Sequence, residues 1–189
     1  MNPLSSSKYA AFGRKAASYD AHAFVQKDVA QWTAEWLPSA AADGTCLEFG
    51  AGTGLLTQHL CNRFGRVVAS DLEAEMLHVC QERVHGVEHC IRDAWAEQVD
   101  DSSWDYIVSS SLLQWARDPI DSLINWRALL NDSGRMILGF FIAPSLVEMI
   151  QAMDDQGPVE WRELSQWQDI FQQSALEVVR IESKTNRYH

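Results

Sequence analysis

Residues 46–57 of this chain read CLEFGAGTGLLT, an apolar run with Glu48 near its end, three glycines at every second position and the start of a helical pattern. The apolar run predicts a buried strand. Glycines after it allow tight-turn dihedrals that a Cβ would forbid, and they let a ligand lie against the bare backbone. The helix that follows begins with free N–H groups that point toward such a ligand. The stretch therefore predicts a strand, a turn and a helix, with a ligand site at the turn.

The spacing of the glycines distinguishes two classes of cofactor. The dinucleotide fingerprint is G-x-G-x-x-G, whereas Gly50, Gly52 and Gly54 give G-x-G-x-G and Leu55 takes the sixth position. With Glu48 two residues ahead, the pattern resembles the first motif of class I S-adenosylmethionine (SAM)-dependent methyltransferases. Two alternatives remain open, a nicotinamide dinucleotide site and a tight turn that binds no ligand.

An acidic residue also ends the next predicted strand, residues 67–70, at Asp71. In parallel sheets the ends of neighbouring strands meet at one edge, so Asp71 is expected beside the glycine turn. The resemblance implies that its carboxylate accepts hydrogen bonds from both ribose hydroxyls of SAM.

Composition favours an acidic globular protein. The chain has 189 residues, 47% of them apolar, and a formal net charge of −11. That length can bury a core and fits one domain, and the negative charge argues against nucleic-acid or anionic-membrane partners for the surface as a whole. Basic residues are frequent near both ends of the chain. At the N-terminal end, Lys8, Arg14 and Lys15 all precede the first acidic residue. These ends could meet an acidic partner or simply be solvated.

The cysteines and histidines do not indicate a metal site. The four cysteines include no C-x-x-C pair, and the six histidines form no H-E-x-x-H motif. Buried free thiols in a reducing compartment are the favoured interpretation. The longest apolar run, residues 136–143, is too short to span a membrane, and the N-terminus has no apolar signal region. We therefore expect a cytoplasmic protein without a metal.

A helix is predicted before the first strand, with apolar residues at Val25, Val29, Trp32 and Trp36 and an end at Pro38. A helix in this position often packs over the ligand crevice as a lid. The alternative is an amphipathic helix that covers the edge of the sheet.

From residue 45 the pattern alternates between strands and helices. Strands are expected at 45–49, 66–70, 87–92, 106–109 and 136–142, and helices at 54–64, 72–84 and from Asp118–Pro119 onward. This alternation predicts an α/β fold with a doubly wound, mostly parallel sheet, helices on both faces and ligands at the carboxyl ends of the strands. Beyond it, we expect a helix from Pro144, a helical stripe at 164–171 and a last strand at 176–181.

Two motifs make the resemblance more specific. The N-terminal box from Phe12 to Gln26 and the stretch SSSLLQW at 109–115, followed by Asp118–Pro119, resemble the malonyl-acyl-carrier-protein O-methyltransferases of biotin synthesis. The resemblance covers roughly residues 12 to 142, and its glycine motif is specific to the superfamily only. It implies carboxyl O-methylation with SAM, which becomes S-adenosylhomocysteine (SAH), and an acid acceptor that is a small molecule or is bound to acyl-carrier protein.

The resemblance also implies positions for the cofactor, from the methionine end to the adenine. The methionine end and the turn would involve Glu48, Gly50, Ala51, Gly52 and Gly54. The ribose and the adenine would be bound by Asp71, Leu72, Met76, Asp93, Ala94 and Trp95. Ser109 and Ser110 would line the floor where the methyl donor and acceptor meet. In each case a structural role is the alternative, with Asp93 as a turn residue and Trp95 as a core aromatic.

The implied chemistry asks little of the side chains. A carboxylate is already ionised at pH 7, so it needs no general base, and the enzyme has to align the reactants and exclude water. The catalytic candidates are Tyr19, Arg14 and Ser110, with Tyr19 closing the site from the lid. A cation for the malonyl carboxylate is expected at Arg14 first and at Arg117 second.

The C-terminal part departs from the family pattern. We expect one domain over 1–189, made of a lid at 8–38, a SAM-binding core at 45–142 and a shortened substrate-side segment at 143–189. Family members continue into a further helix and a final antiparallel strand, so we expect either a truncated form or a different substrate site. The alternatives are a methyltransferase for another small acid or metabolite, and a binding module that has lost catalysis.

Overall fold

The computed structural model describes residues 20–21, 23–39, 41–96, 103–145 and 159–187. Its five strands are β1 (Ala41–Phe49), β2 (Phe64–Asp71), β3 (Glu88–Ile91), β4 (Trp104–Ser110) and β5 (Leu130–Gly139). Its helices are α1 (Phe24–Ala34), α2 (Thr57–Leu60), α3 (Ala74–Arg83), α4 (Pro119–Ala128) and α5 (Leu164–Gln173). A 3₁₀ turn, Leu113–Trp115, follows β4.

The strands form one parallel sheet in the order β3-β2-β1-β4-β5. The order reverses between β1 and β4, which is where doubly wound sheets open a crevice for ligands at their carboxyl ends. The predicted α/β fold class is confirmed.

Alternate residues of β1 bury opposite faces of the sheet, as the period of a strand requires. On one face Leu47 and Phe49 join a cluster that includes Trp126 of α4 and Trp167 of α5. On the other face Cys46 packs with residues of α1 and α2. Both faces of the central strand are therefore covered, which explains its nearly continuous apolar sequence.

The helix before the first strand lies on the face of the sheet. Ala30, Thr33 and Ala34 of α1 are buried, and Ala30 and Ala34 belong to the cluster that contains Cys46. The described helix α1 thus covers one face of the sheet, whereas the alternative interpretation placed it at the edge. Residues 8–19, which would carry the rest of the predicted lid, lie outside the described residues.

Two predicted elements differ in the structure. The helix predicted at 54–64 is regular only over α2, because the positive φ angles of the glycine turn delay its start, and Gly65 lies in β2 instead of ending the helix. The strand predicted at 136–142 begins earlier, since β5 starts at Leu130 and its pairing with β4 shifts register before Arg135. Most of the helix predicted from Pro144 lies outside the described residues.

The strand predicted at 176–181 is wrong, because residues 176–187 contain no regular element. Val179 is 80% exposed, and the guanidinium of Arg180 lies 4.1 Å from the centroid of the Trp36 ring. An alternating apolar pattern becomes a strand only when a neighbouring strand pairs with it. None of the five described strands does so. No helix in the described part of the chain is long and apolar enough to cross a membrane.

Candidate cofactor site and family

The glycine turn leaves β1 at the point where the strand order reverses. Gly50, Gly52 and Gly54 have φ angles of +70°, +56° and +87°, values that residues with a Cβ rarely adopt. The turn is held by two backbone hydrogen bonds, in which the Ala51 N–H donates to Ser70 over 2.9 Å and the Gly54 N–H donates to Ala51 over 2.9 Å. The predicted strand–turn–helix unit is therefore present at the edge of the sheet where ligands bind.

Glu48 is buried beneath this turn, with 1% of its surface exposed. The Thr57 hydroxyl donates a hydrogen bond of 2.6 Å to its Oε2 atom. Burial raises the pKa of Glu48 to about 8, partly offset by the hydrogen bond from Thr57 and reinforced by the nearby Asp71 carboxylate. Without a bound cation, Glu48 is therefore mostly protonated at neutral pH.

Asp71 contacts the glycine turn from the end of β2. Its Oδ2 atom accepts a hydrogen bond of 2.7 Å from the N–H of Gly52, and its Oδ1 atom accepts one of 2.9 Å from the N–H of Glu73. Burial raises the pKa of Asp71, while these backbone donors oppose the shift. The backbone of Leu72 is a third donor to this carboxylate, which has about four acceptor positions in all. The structure thus brings Asp71 beside the turn, where the sequence placed it.

The residues predicted around the adenine extend along the ends of β2 and β3. Leu72 is 42% exposed, whereas Ala94 and Met76 are buried. Asp93 is exposed, and its Oδ1 atom accepts a hydrogen bond of 2.9 Å from the N–H of Trp95. Asp93 therefore stabilises a turn in this structure.

Trp95 stacks on Trp126, with ring centroids 6.0 Å apart. Trp126 stacks in turn on Phe49 at 4.8 Å, and its indole Nε1–H donates to the Ala94 carbonyl over 2.7 Å. This ladder of rings fixes the turn after β3 to the core. The sequence did not identify Trp126 as a support of this turn, because the α4 residue is far from it along the chain.

Beyond β4 the chain makes a strained turn toward the glycines. Ser111 has a φ angle of +58°, and a Cβ added at Gly50 would lie 2.9 Å from the nearest atom of the Leu112 side chain. The Nε2 atom of Gln114 donates to the Ser111 carbonyl over 2.8 Å. Backbone strain of this kind often accompanies a binding site. The SSSLLQW motif did not by itself indicate a role for Ser111, Leu112 or Gln114.

The predicted serines end β4 at the same edge. Ser109 is buried and its hydroxyl has no hydrogen-bond partner among the described residues, and the same is true of the Oε1 atom of Gln114. Ser110 is half-buried at the last position of the strand. Buried polar atoms without partners are uncommon. They are consistent with a polar ligand at the ends of β1 and β4.

Of the other predicted residues, the structure describes Arg117 alone. Tyr19 and Arg14 lie outside the described residues, and Arg117 is exposed before α4. Within the described ranges, no group of three or more His, Cys, Asp or Glu side chains could hold a metal ion.

Asp20, which the sequence analysis did not single out, links the N-terminal segment to the glycine turn. Its Oδ1 atom accepts a hydrogen bond of 2.7 Å from the Thr53 hydroxyl, and its Oδ2 atom pairs with Arg83 at the end of α3. Burial alone would raise the pKa of Asp20, but the hydrogen bonds from Arg83 and Thr53 hold it below its ordinary value. Three elements that are far apart in sequence therefore meet at one carboxylate.

The coupling between Asp20 and Arg83 is expected to contribute about 1 kcal/mol to the free energy of unfolding. Urea denaturation of Asp20→Asn, Arg83→Gln and the double variant would measure it as a deviation from additivity. Glu82→Gln, an exposed change on the same helix, is the control. Additive effects would show that the carboxylate and the guanidinium do not stabilise one another.

Comparison with known proteins agrees with this geometry. A family model described as a methyltransferase domain matches residues 47–136. In three dimensions the chain is similar to the DhpI–SAM–HEP complex, with a TM-score of 0.70 and 21% identity over 87% of this chain and 86% of that one. It is also similar to the DhpI–SAH complex, with a TM-score of 0.59 and 27% identity over 67% and 64% of the two chains.

The curated relatives are more specific. The chain is 26% identical, over 201 residues, to a malonyl-[acyl-carrier protein] O-methyltransferase of Paenibacillus sp. (strain JDR-2), covering 93% of this chain and 73% of the relative. It is 32% identical, over 149 residues, to the enzyme of the same name from Bacillus cytotoxicus, covering 76% and 52%. The biotin biosynthesis bifunctional protein BioHC of Cellvibrio japonicus is 30% identical over 75% of this chain.

The share of each relative that is matched varies. The chain spans about half of the length of the Bacillus enzyme and 28% of the bifunctional protein. The glycine turn with its buried glutamate, the aspartate at the end of β2, the strand order and these matches all agree. The chain is a class I SAM-dependent methyltransferase that resembles the malonyl-acyl-carrier-protein O-methyltransferases.

Proposed function

We propose that this chain transfers the methyl group of SAM to the free carboxylate of a malonyl group carried by acyl-carrier protein, as a step of biotin synthesis in the cytoplasm. The observation that carries the proposal is the similarity to a malonyl-[acyl-carrier protein] O-methyltransferase over 93% of this chain. The stretch at 109–115, which first indicated this family, forms the strained turn that contacts Gly50.

The chemistry agrees with the side chains at the ends of β1 and β4. A carboxylate oxygen attacks the methyl carbon, the carbon–sulfur bond breaks, and its electron pair goes to the sulfur. No proton is transferred, so no general base is needed. Ser109 and Gln114 can hydrogen-bond to bound groups, and Leu112 excludes water beside the turn.

We assign the cofactor residues as follows. Glu48 and the backbone of the glycine turn bind the methionine end, and Asp71 binds the ribose hydroxyls. Leu72, Met76, Ala94 and Trp95 surround the adenine, whose amino group donates to Asp93. Ser109 and Ser110 line the floor of the site, and Tyr19 closes it.

Replacement of Asp71 by alanine is expected to weaken SAM binding by about 1.5–3 kcal/mol, the contribution of a hydrogen bond to a charged group. Calorimetric titration with SAH would measure the change. Asp105→Ala is a matched control, because Asp105 accepts 2.8 Å and 2.9 Å hydrogen bonds from Thr45 at the other end of the sheet. We expect this control to lower stability and leave SAH affinity unchanged. If the wild type and Asp71→Ala bind SAH with equal affinity, Asp71 does not bind the cofactor.

The proposed function is tested by incubating the chain with methyl-labelled SAM and malonyl-acyl-carrier protein. Base-labile label on the carrier protein is the expected result, because a methyl ester is hydrolysed by base. Acetyl-acyl-carrier protein, which lacks the free carboxylate, is the control acceptor. If only small dicarboxylic acids become labelled, the acceptor is a free acid and not one bound to the carrier protein. Tight SAH binding without transfer to any acid would indicate a binding module.

A further inference from the structure

Two of the acidic and basic side chains in the described part of the chain are buried, those of Glu48 and Arg162. Glu48 lies under the glycine turn. Arg162 is 9% exposed and lies just before α5. A guanidinium stays charged at all ordinary pH values, so its burial is costly unless an anion compensates it. A buried guanidinium is therefore a candidate for binding an anion.

Arg162 is positioned at the edge of the sheet where ligands bind. Its carbonyl oxygen accepts a hydrogen bond of 2.8 Å from the N–H of Ala143, four residues beyond the end of β5. The last residue of β5, Gly139, pairs with Ser110 at the end of β4. The segment that carries Arg162 is therefore hydrogen-bonded to the chain that leaves β5 at the carboxyl edge of the sheet, the edge where ligands of such sheets bind.

Aromatic rings fix the guanidinium in place. It lies 5.6 Å from the centroid of the Trp167 ring, and Trp167 contacts Phe140 with ring centroids 4.6 Å apart. A guanidinium over an indole face is favourable and well ordered. Arg162 is thus held rigidly, as a residue that orients a substrate must be.

The anion that compensates Arg162 is readily exchanged. The Oε2 atom of Glu160 lies 2.5 Å from Nη2, but the side chain of Glu160 is 73% exposed. The Nη1 atom makes only a long contact of 3.4 Å with the Glu160 carbonyl oxygen. The guanidinium could bind a carboxylate with two parallel hydrogen bonds, and Glu160 takes one of them. The adjacent Trp161 has a buried indole N–H without an acceptor among the described residues.

We propose that Arg162 binds the carboxylate of the methyl acceptor, which displaces the carboxylate of Glu160. The inference rests on the proposed function, because it names the residue that recognises the acid. Arg162 would hold one oxygen while the other attacks the methyl carbon and SAH leaves with the sulfur electron pair. The ester that forms is neutral and loses its charge-assisted hydrogen bond to Arg162. Because the ester binds Arg162 more weakly than the acid does, methyl transfer favours release of the product.

Measurements of acid binding and of methyl transfer distinguish this inference from the proposed function. With SAH present, wild type should bind malonyl-pantetheine and discriminate against its methyl ester, whereas Arg162→Gln should lose about 10- to 150-fold in affinity for the acid. Arg162→Lys should recover part of it. SAH affinity should match that of Arg127→Gln, a change at an exposed arginine of α4.

Glu160→Gln provides a second test that does not remove the buried cation. With its competing carboxylate gone, this variant should bind the acid more tightly and show a lower KM. Suppose that the wild type transfers the methyl group to malonyl-acyl-carrier protein, and that the KM for this acceptor is unchanged in both Arg162→Gln and Glu160→Gln. This result would overturn the inference and leave the proposed function standing. Arg162-dependent binding of the acid without transfer would support the inference and overturn the function. Parallel losses of acid and SAH affinity in Arg162→Gln would also overturn it, since they would show a packing role.

Discussion

Replacement of Glu48 by glutamine is expected to stabilise the ligand-free protein, by an amount that grows with pH. Burial raises the pKa of Glu48 from an ordinary value of 4.5 to about 8. Between these two values the folded state binds more protons than the unfolded state, so stability falls as pH rises through this window. At about 1.36 kcal/mol for each pKa unit, the wild type loses roughly 3–5 kcal/mol by pH 9. Glutamine, which does not ionise, avoids this loss.

Urea denaturation of the wild type and Glu48→Gln at pH 5, 7 and 9 would measure the effect. The two proteins should be nearly equal at pH 5 and differ most at pH 9. Glu35→Gln, at an exposed position after α1, should change stability little at any pH. A constant difference between wild type and Glu48→Gln from pH 5 to 9 would show that Glu48 ionises at the same pH in both states.

The same residue connects stability to cofactor binding. In the proposed site the methionine ammonium of SAM lies near Glu48, and a cation favours the ionised carboxylate. Binding should then release a proton from Glu48 near pH 7, so the enthalpy of SAH binding should depend on the ionisation enthalpy of the buffer. Glu48→Gln should remove this dependence. If the enthalpy of SAH binding to the wild type does not depend on the buffer, Glu48 does not ionise on binding and does not lie near the methionine ammonium.

The sequence indicated the centre of the sheet and the cofactor turn, because both follow local rules. Glycine spacing, an apolar run and the acids Asp71 and Asp93 depend on neighbours within a few residues, and a parallel, doubly wound sheet follows from the alternation of elements. The order of the strands was not predicted. The carboxylate of Asp71 lies beside Gly52 because β1 and β2 are adjacent and parallel.

What the sequence did not indicate depends on residues far apart in the chain. Asp20 is recognised only when Thr53 and Arg83 are seen beside it. Arg162 looked like an ordinary charged residue, since its burial comes from Trp167 and from the chain after β5. The apolar run at 176–181 predicted a strand, but strand formation requires a pairing partner that a local pattern does not reveal.

Replacement of Gly54 by alanine is expected to destabilise the fold and to weaken cofactor binding. The backbone there has a φ angle of +87°, and the added Cβ would lie 3.0 Å from Sγ of Cys80 and 3.2 Å from the Val84 side chain. The left-handed conformation costs about 1–2 kcal/mol for an L-residue, and the overpacking of a buried site costs about 1–3 kcal/mol more. The free energy of unfolding should therefore fall by roughly 2–5 kcal/mol.

Gly86 offers a matched control, since its φ angle is +79° and no atom lies within 4 Å of an added Cβ. Gly86→Ala should show the backbone cost alone, so the difference between the two variants in urea denaturation isolates the contact with α3. Because Gly54 also donates its N–H to Ala51 within the turn, a shift there should weaken SAH binding roughly tenfold, while Gly86→Ala should leave it unchanged. Equal losses of stability would mean that α3 yields to the methyl group. Unchanged SAH affinity in Gly54→Ala would mean that the cofactor does not depend on the conformation of the turn at this glycine.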